Sequence, residues 1–177
     1  MKTKILTLIS LMLLNACSSL DNIEFMQKAS AIVPGSTVLD NLTGSLGFDG
    51  FNSIGSSYQQ TLSNEDIDPS KVDYVKIKSF SLEVTDPLGQ DLSFFDSFEV
   101  HIQADGLDKV LIANLSSFPN GETKVNLEIP DINLKPYLSQ DNMTITTEVD
   151  GQKPAEDTTI EASTVFDIDI NVKNAIF

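Results

Sequence analysis

From Ile160 to Val172 the chain alternates in character. Ile160, Ala162, Thr164, Phe166, Ile168, Ile170 and Val172 fall on one side, and Glu161, Ser163, Asp167, Asp169 and Asn171 on the other. Side chains of an extended backbone point to opposite faces with period two, so this run reads as one long, half-buried β-strand. A slip of one residue would bury the acids and expose the aliphatic groups, which specifies its register strongly. A strand of that length needs neighbours along its edges and a second layer over its apolar face.

The same period recurs upstream. Phe98, Val100, Ile102 and Ala104 alternate with Glu99, His101 and Gln103. Val125, Leu127 and Ile129 alternate with Lys124, Asn126 and Glu128. Met143, Ile145, Thr147 and Val149 alternate with Thr144, Thr146 and Glu148. Val110–Ala113 is a continuous apolar run, expected of a short strand covered on both sides. Between Val72 and Thr85 the apolar parity switches from Val75 and Ile77 to Phe80, Leu82 and Val84, which predicts a β-bulge near Lys78–Ser79 or a strand that changes sheets. Turn signals stand at Asp86-Pro87-Leu88-Gly89, Asp105-Gly106, Pro119-Asn120-Gly121 and Asp150-Gly151. Leu134–Leu138 reads as a short helical turn, and Leu92–Phe95 as another. Asp40–Ser57 is rich in Gly, Ser and Asn around Phe48, Phe51 and Ile54, and reads equally as a strand with a long loop or as a loop pinned by its aromatics. The expected fold class is therefore all-β, an antiparallel two-sheet sandwich spanning 36–177. It is immunoglobulin-like in architecture only, since the chain has no Trp and no Cys pair.

The N-terminus is written differently. Lys2 and Lys4 precede a mostly apolar stretch, Ile5–Leu14, that is too short to span a bilayer permanently and has the form of an export signal. Leu14, Asn15, Ala16 and Cys17 follow, and this tetrapeptide resembles the lipobox of bacterial lipoproteins, with an aliphatic residue at −3, a small one at −1 and Cys at +1. The resemblance implies that residues 1–16 are removed as a signal peptide. It also implies that the Cys17 thiol takes a diacylglyceryl group and that the new α-amino group is acylated in turn, with palmitate or a similar chain. Two or three such chains, at about 0.8 kcal/mol per buried methylene, hold a domain on a membrane. Ser18 after the Cys implies, by the sorting pattern of enteric bacteria, the outer membrane. Cys17 is the only Cys, so no disulfide forms within the chain, and lipidation accounts for an otherwise unpaired thiol in an exported protein. Residues 17–35 read as a lipidated tether, either ordered in itself or forming a short helix, from Ser19 as cap, Asp21 in the first turn, and Leu20, Ile23 and Met26 near helical spacing. The body is similar to small β-sandwich lipoproteins and to no named family, a similarity that carries no activity with it.

Charge narrows the partners. The formal charge is −15, becoming −17 once Lys2 and Lys4 leave with the signal, and all eleven basic residues are Lys. Nucleic acid is excluded as a partner, because phosphate backbones require cationic surface. The charges are dispersed, which reads as solubility and self-repulsion at a crowded surface.

Candidate chemistry is sparse. His101 is the only His, so no Ser-His-Asp or Cys-His set can be assembled around a second one, and no catalytic residue is assigned. A zinc site built from several His or Cys is out of reach. The best calcium candidate is Glu65, Asp66, Asp68 and Asp73 in NEDIDPSKVD. As an EF-hand loop it fails twice, with Lys71 where Gly is needed and Ile77 where a bidentate Glu is needed. The competing reading, a capping turn with Asp66 or Asp68 as cap and Pro69 at the first helical position, takes precedence. Asp167 and Asp169, with Asn171 in line beyond them, read as acids on an outer or edge strand that discourage edge pairing. No cofactor is expected beyond the lipid. The expected function is a lipid-anchored, non-catalytic module that binds or scaffolds an envelope protein or surface ligand. The alternative is a cell-wall or extracellular carbohydrate hydrolase using paired carboxylates.

Overall fold

The computed structural model describes residues 22–38 and 40–171. Its strands are β1 (Asn22–Val33), β2 (Asn41–Gly44), β3 (Val72–Asp86), β4 (Phe95–Ala104), β5 (Leu107–Leu115), β6 (Lys124–Asn126), β7 (Thr144–Gln152) and β8 (Thr158–Ile170), with helices α1 (Ile54–Asn64) and α2 (Lys135–Leu138). Two antiparallel four-stranded sheets form an all-β sandwich, in the orders β1-β8-β3-β6 and β2-β7-β4-β5. No described helix is long and apolar enough to cross a membrane.

The alternation decides which groups meet in the middle. Even-numbered residues of β8 from Thr158 to Ile168 are buried, as are Phe98, Val100, Ile102 and Ala104 of β4, and Thr147 and Val149 of β7. Val172 lies outside the described residues. The parity switch in β3 is a bulge: the pairing with β8 shifts between Ile77 and Ser79, so Val75 and Ile77 face inward before it and Phe80 and Leu82 after it. Aromatic rings pack together in the core, with Phe25 of β1 stacked on its cross-strand neighbour Phe166 of β8 at 4.6 Å and Phe48 and Phe95 edge-on to Phe98 of β4 at 5.9 and 5.6 Å. Such pairs contribute about 0.5–1.5 kcal/mol beyond their buried area.

Five expectations are corrected. The segment expected to be a tether or short helix is β1, paired with β8 along its whole described length, so the sandwich already includes Asn22–Val33 and does not open at residue 36. Its inward set is odd-numbered (Ile23, Phe25, Ala29, Ala31, Val33), while Met26, counted toward a helical stripe, is 60% exposed. Ser18–Asp21 lie outside the described residues. Second, β8 is a central strand, flanked by β1 and β3; Asp167 is buried beside Lys76 (3.5 Å) and does not guard an edge. Third, Val110–Ala113 belongs to β5, an edge strand. Ile112 is the extra residue of a bulge against β4, and this, not cover on both faces, buries Ile112 and Ala113 in succession. Fourth, Asp150-Gly151 is not a turn but lies inside β7, with Gly151 opposite both Leu42 and Phe95. Fifth, Leu92–Phe95 is a tight turn closed by the Phe95 N–H on the Leu92 carbonyl (3.1 Å) and leads directly into β4. The helical turn at Leu134–Leu138 is present as α2.

Asp40–Ser57 proves to combine the short β2 with a loop pinned by the buried Phe48 and Phe51, and leads into α1. One stripe of α1, Ile54, Tyr58 and Leu62, is buried at helical spacing. Gln27, on the inward side of β1, anchors the helix by donating to the Gly50 carbonyl (3.1 Å) and Ser53 Oγ (3.1 Å) and accepting from Ser57 Oγ (2.9 Å).

Asp91 ties the loop before β4 to the Pro119–Gly121 turn. Its carboxylate accepts from Ser93 Oγ (2.6 Å), Ser93 N (3.1 Å) and Gly121 N (2.9 Å). The Ser93 hydroxyl first, then the Ser93 and Gly121 amides, hold this carboxyl below its ordinary value. A depressed folded-state pKa gives stability that is present above the unfolded value of 3.8 and is lost as pH falls through the folded one. The urea midpoint of Asp91→Asn should therefore fall below wild type at neutral pH, with the gap closing below pH 3.8.

Candidate functional site

On the outer face of the second sheet, alternation and register bring three ligating side chains together. Odd-numbered residues of β4 point outward, which presents Glu99 and His101. The β4–β7 register sets Glu148 directly opposite Glu99 and Thr146 opposite His101. One ligand atom from each of Glu99, His101 and Glu148 lies within 4.8 Å of the others. His101 Nε2 is 3.6 Å from Glu99 Oε2, and Nδ1 is 4.0 Å from Glu148 Oε1. The imidazole is only 15% exposed, and its Nδ1 is buried without a hydrogen-bond partner. Lys109 reaches over from β5 to Glu148 Oε1 at 2.5 Å. That hydrogen bond and charge, with a smaller contribution from His101, hold the Glu148 carboxyl below its usual range.

Beside this cluster runs a shallow groove of about 430 Å³ lined by Gly44, Ser45, Ser97, Glu99, Glu148 and Asp150. Its wall is fixed by Thr147, whose hydroxyl donates to the Leu46 carbonyl (2.5 Å) and accepts from the Leu46 N–H (3.1 Å), so the chain after β2 is clamped to β7. A second groove, of about 340 Å³, lies between α1 and α2. Asn52, Ser56, Gln59, Ser139, Gln140 and Asp141 line it over Met143. Its polar groups are amides and hydroxyls with one carboxylate, a set suited to a neutral, hydrogen-bonding ligand. Burial pushes the hydroxyl of Tyr58, behind it on α1, above its ordinary pKa.

The residues singled out in sequence fare differently. Cys17 lies outside the described residues. Glu65, Asp66, Asp68 and Asp73 do not gather as three ligands around one point among the described residues. Asp68 instead caps the 3₁₀ turn Pro69–Lys71, accepting from Ser70 N at 2.8 Å with Pro69 at the first position. Asp66 has φ of 56°, in the left-handed region that Asp tolerates better than most residues. His101 was legible as outward-facing beside Glu99, whereas Glu148, 47 positions away, joins it only through strand pairing. Comparison with protein-family models and with curated proteins returns no match.

Proposed function

We propose that this protein is a lipid-anchored lipoprotein of a bacterial envelope. On this reading it is cleaved before Cys17, held at the outer membrane, and uses its sandwich to bind or scaffold another envelope component without catalysis. The observation that carries this reading is that the single Cys of the chain stands at the one position the leader requires, after Leu14-Asn15-Ala16. The close start of β1 fits it. Five residue steps separate Cys17 from Asn22, a reach of at most roughly 18 Å, so the sandwich rides near the bilayer surface. The paired carboxylates favour binding over hydrolysis. A glycosidic general acid needs a raised pKa, whereas the Lys109 hydrogen bond and charge hold the Glu148 carboxyl below its ordinary value, which does not suit it to that role.

The test is the mass of the protein extracted from its native membrane, beside a Cys17→Ala variant. The expected result is a chain beginning at Cys17 with added diacylglyceryl mass, and a variant recovered in the soluble fraction. An unmodified, soluble wild-type protein would overturn the anchor.

A further inference from the structure

We infer that Glu99, His101 and Glu148 form a binding site for a first-row divalent metal ion, with Lys109 as the displaceable cation that occupies Glu148 when the metal is away. This rests on the outer face of the second sheet and is independent of the lipid anchor.

Three observations converge. Glu99 and Glu148 are directly opposed on neighbouring strands, an arrangement in which like charges repel unless a cation lies between them. Lys109 answers only part of that demand, since it reaches Glu148 alone by salt bridge. His101 supplies the second observation: a largely buried imidazole whose Nδ1 has no hydrogen-bond partner, between two carboxylates at 3.6 and 4.0 Å. A neutral imidazole carries one donor and one acceptor nitrogen, and leaving one buried and unused is unfavourable. Third, the ligand atoms already lie within 4.8 Å of one another, while a tetrahedral ion with bonds near 2.0–2.1 Å needs them about 3.4 Å apart. Small side-chain rotations close that difference.

The donor set selects the ion. One imidazole with two carboxylates suits zinc and its first-row neighbours, and disfavours calcium, which takes six to eight oxygens. Three protein ligands leave a tetrahedral ion one further position, and the groove along Ser45, Ser97 and Asp150 adjoins the two carboxylates. Sequence alone sets zinc aside for want of a second His; strand register supplies the remaining ligands from Glu99 and Glu148.

His101 being the only His makes the test direct. The whole protein, purified in detergent without a histidine tag and labelled with ¹⁵N, is titrated with zinc while the imidazole resonances are followed. They are expected to move as a single set and to saturate at about one equivalent. Cobalt in place of zinc should give the visible absorption of a four-coordinate site. His101→Asn should weaken binding by at least about tenfold. Lys109→Ala should strengthen it by about two- to fivefold, by removing the competitor from Glu148. Imidazole resonances that stay still while zinc binds, or equal affinity in His101→Asn, overturn the site. An unchanged or weaker affinity in Lys109→Ala overturns the displacement.

Discussion

Gly151→Ala is expected to lower the unfolding free energy by about 3 kcal/mol, read as a fall in urea midpoint with little change in slope. A Cβ at this position would stand 2.1 Å from the Phe94 carbonyl oxygen and 2.9 Å from the Phe95 Cα. Both are backbone atoms and cannot swing aside as a side chain could. Gly151 pairs with β2 through Leu42 and with β4 through Phe95, and the next residue donates from Gln152 N to the same Phe94 oxygen at 2.8 Å. Making room for one methyl group therefore strains two strand pairings at once. Gly47→Ala is the control, because a Cβ there meets nothing within 4 Å; its effect should stay within about 0.5 kcal/mol. Equal, small effects at the two positions would show that the β4–β7 junction yields more easily than its spacing implies.

Phe166→Ala is expected to cost about 3–5 kcal/mol, a large fraction of the roughly 5–15 kcal/mol that hold a domain folded. The ring is 1% exposed and stacks on Phe25 with an interplanar angle of 6°. It sits on β8 opposite Phe25 of β1 and Ile77 of β3, so its loss leaves a void beneath three strands together. Phe166→Leu, which keeps most of the volume, should cost about 1–2 kcal/mol. A loss under 1 kcal/mol for alanine would mean that the core closes around the vacancy.

What could be read from the sequence follows from how local each signal is. The strands β4, β7 and β8 were legible because their inward and outward sets differ cleanly along a few consecutive residues, and the bulge in β3 because it inverts that parity at one point. The strand β1 was hidden because its pattern carries two confusions. Gln27 is polar on the inward side, where it holds α1, and Ile32 is apolar on the outward side, 63% exposed. The helix α1 was hidden for a related reason: its buried stripe is three residues long and set among Ser, Gly, Thr and Asn, whose helical preference is weak or middling, with only the two Gln favouring a helix. Gly151 followed Asp as in many hairpins, and only the approach of the Phe94 backbone distinguishes a strand interior from a turn. The candidate site divides in the same way. Outward placement of Glu99 and His101 follows from alternation, but the arrival of Glu148 and Lys109 depends on which strands become neighbours, a long-range outcome that no local window carries.

The pairing of β1 with β8 along Asn22–Val33 also bears on how the molecule carries mechanical load under the proposed anchor. A pull on the body that acts along the direction of β1 enters the fold at the N-terminal end of that strand. It is resisted by the ladder to β8, whose hydrogen bonds lie across the direction of force. All twelve residues of β1 share that shear, instead of parting one after another as they would if the strand were peeled from its free side. Under the proposed anchor, the strand nearest the tether is seated along its full length on β8, one of the two interior strands of its sheet.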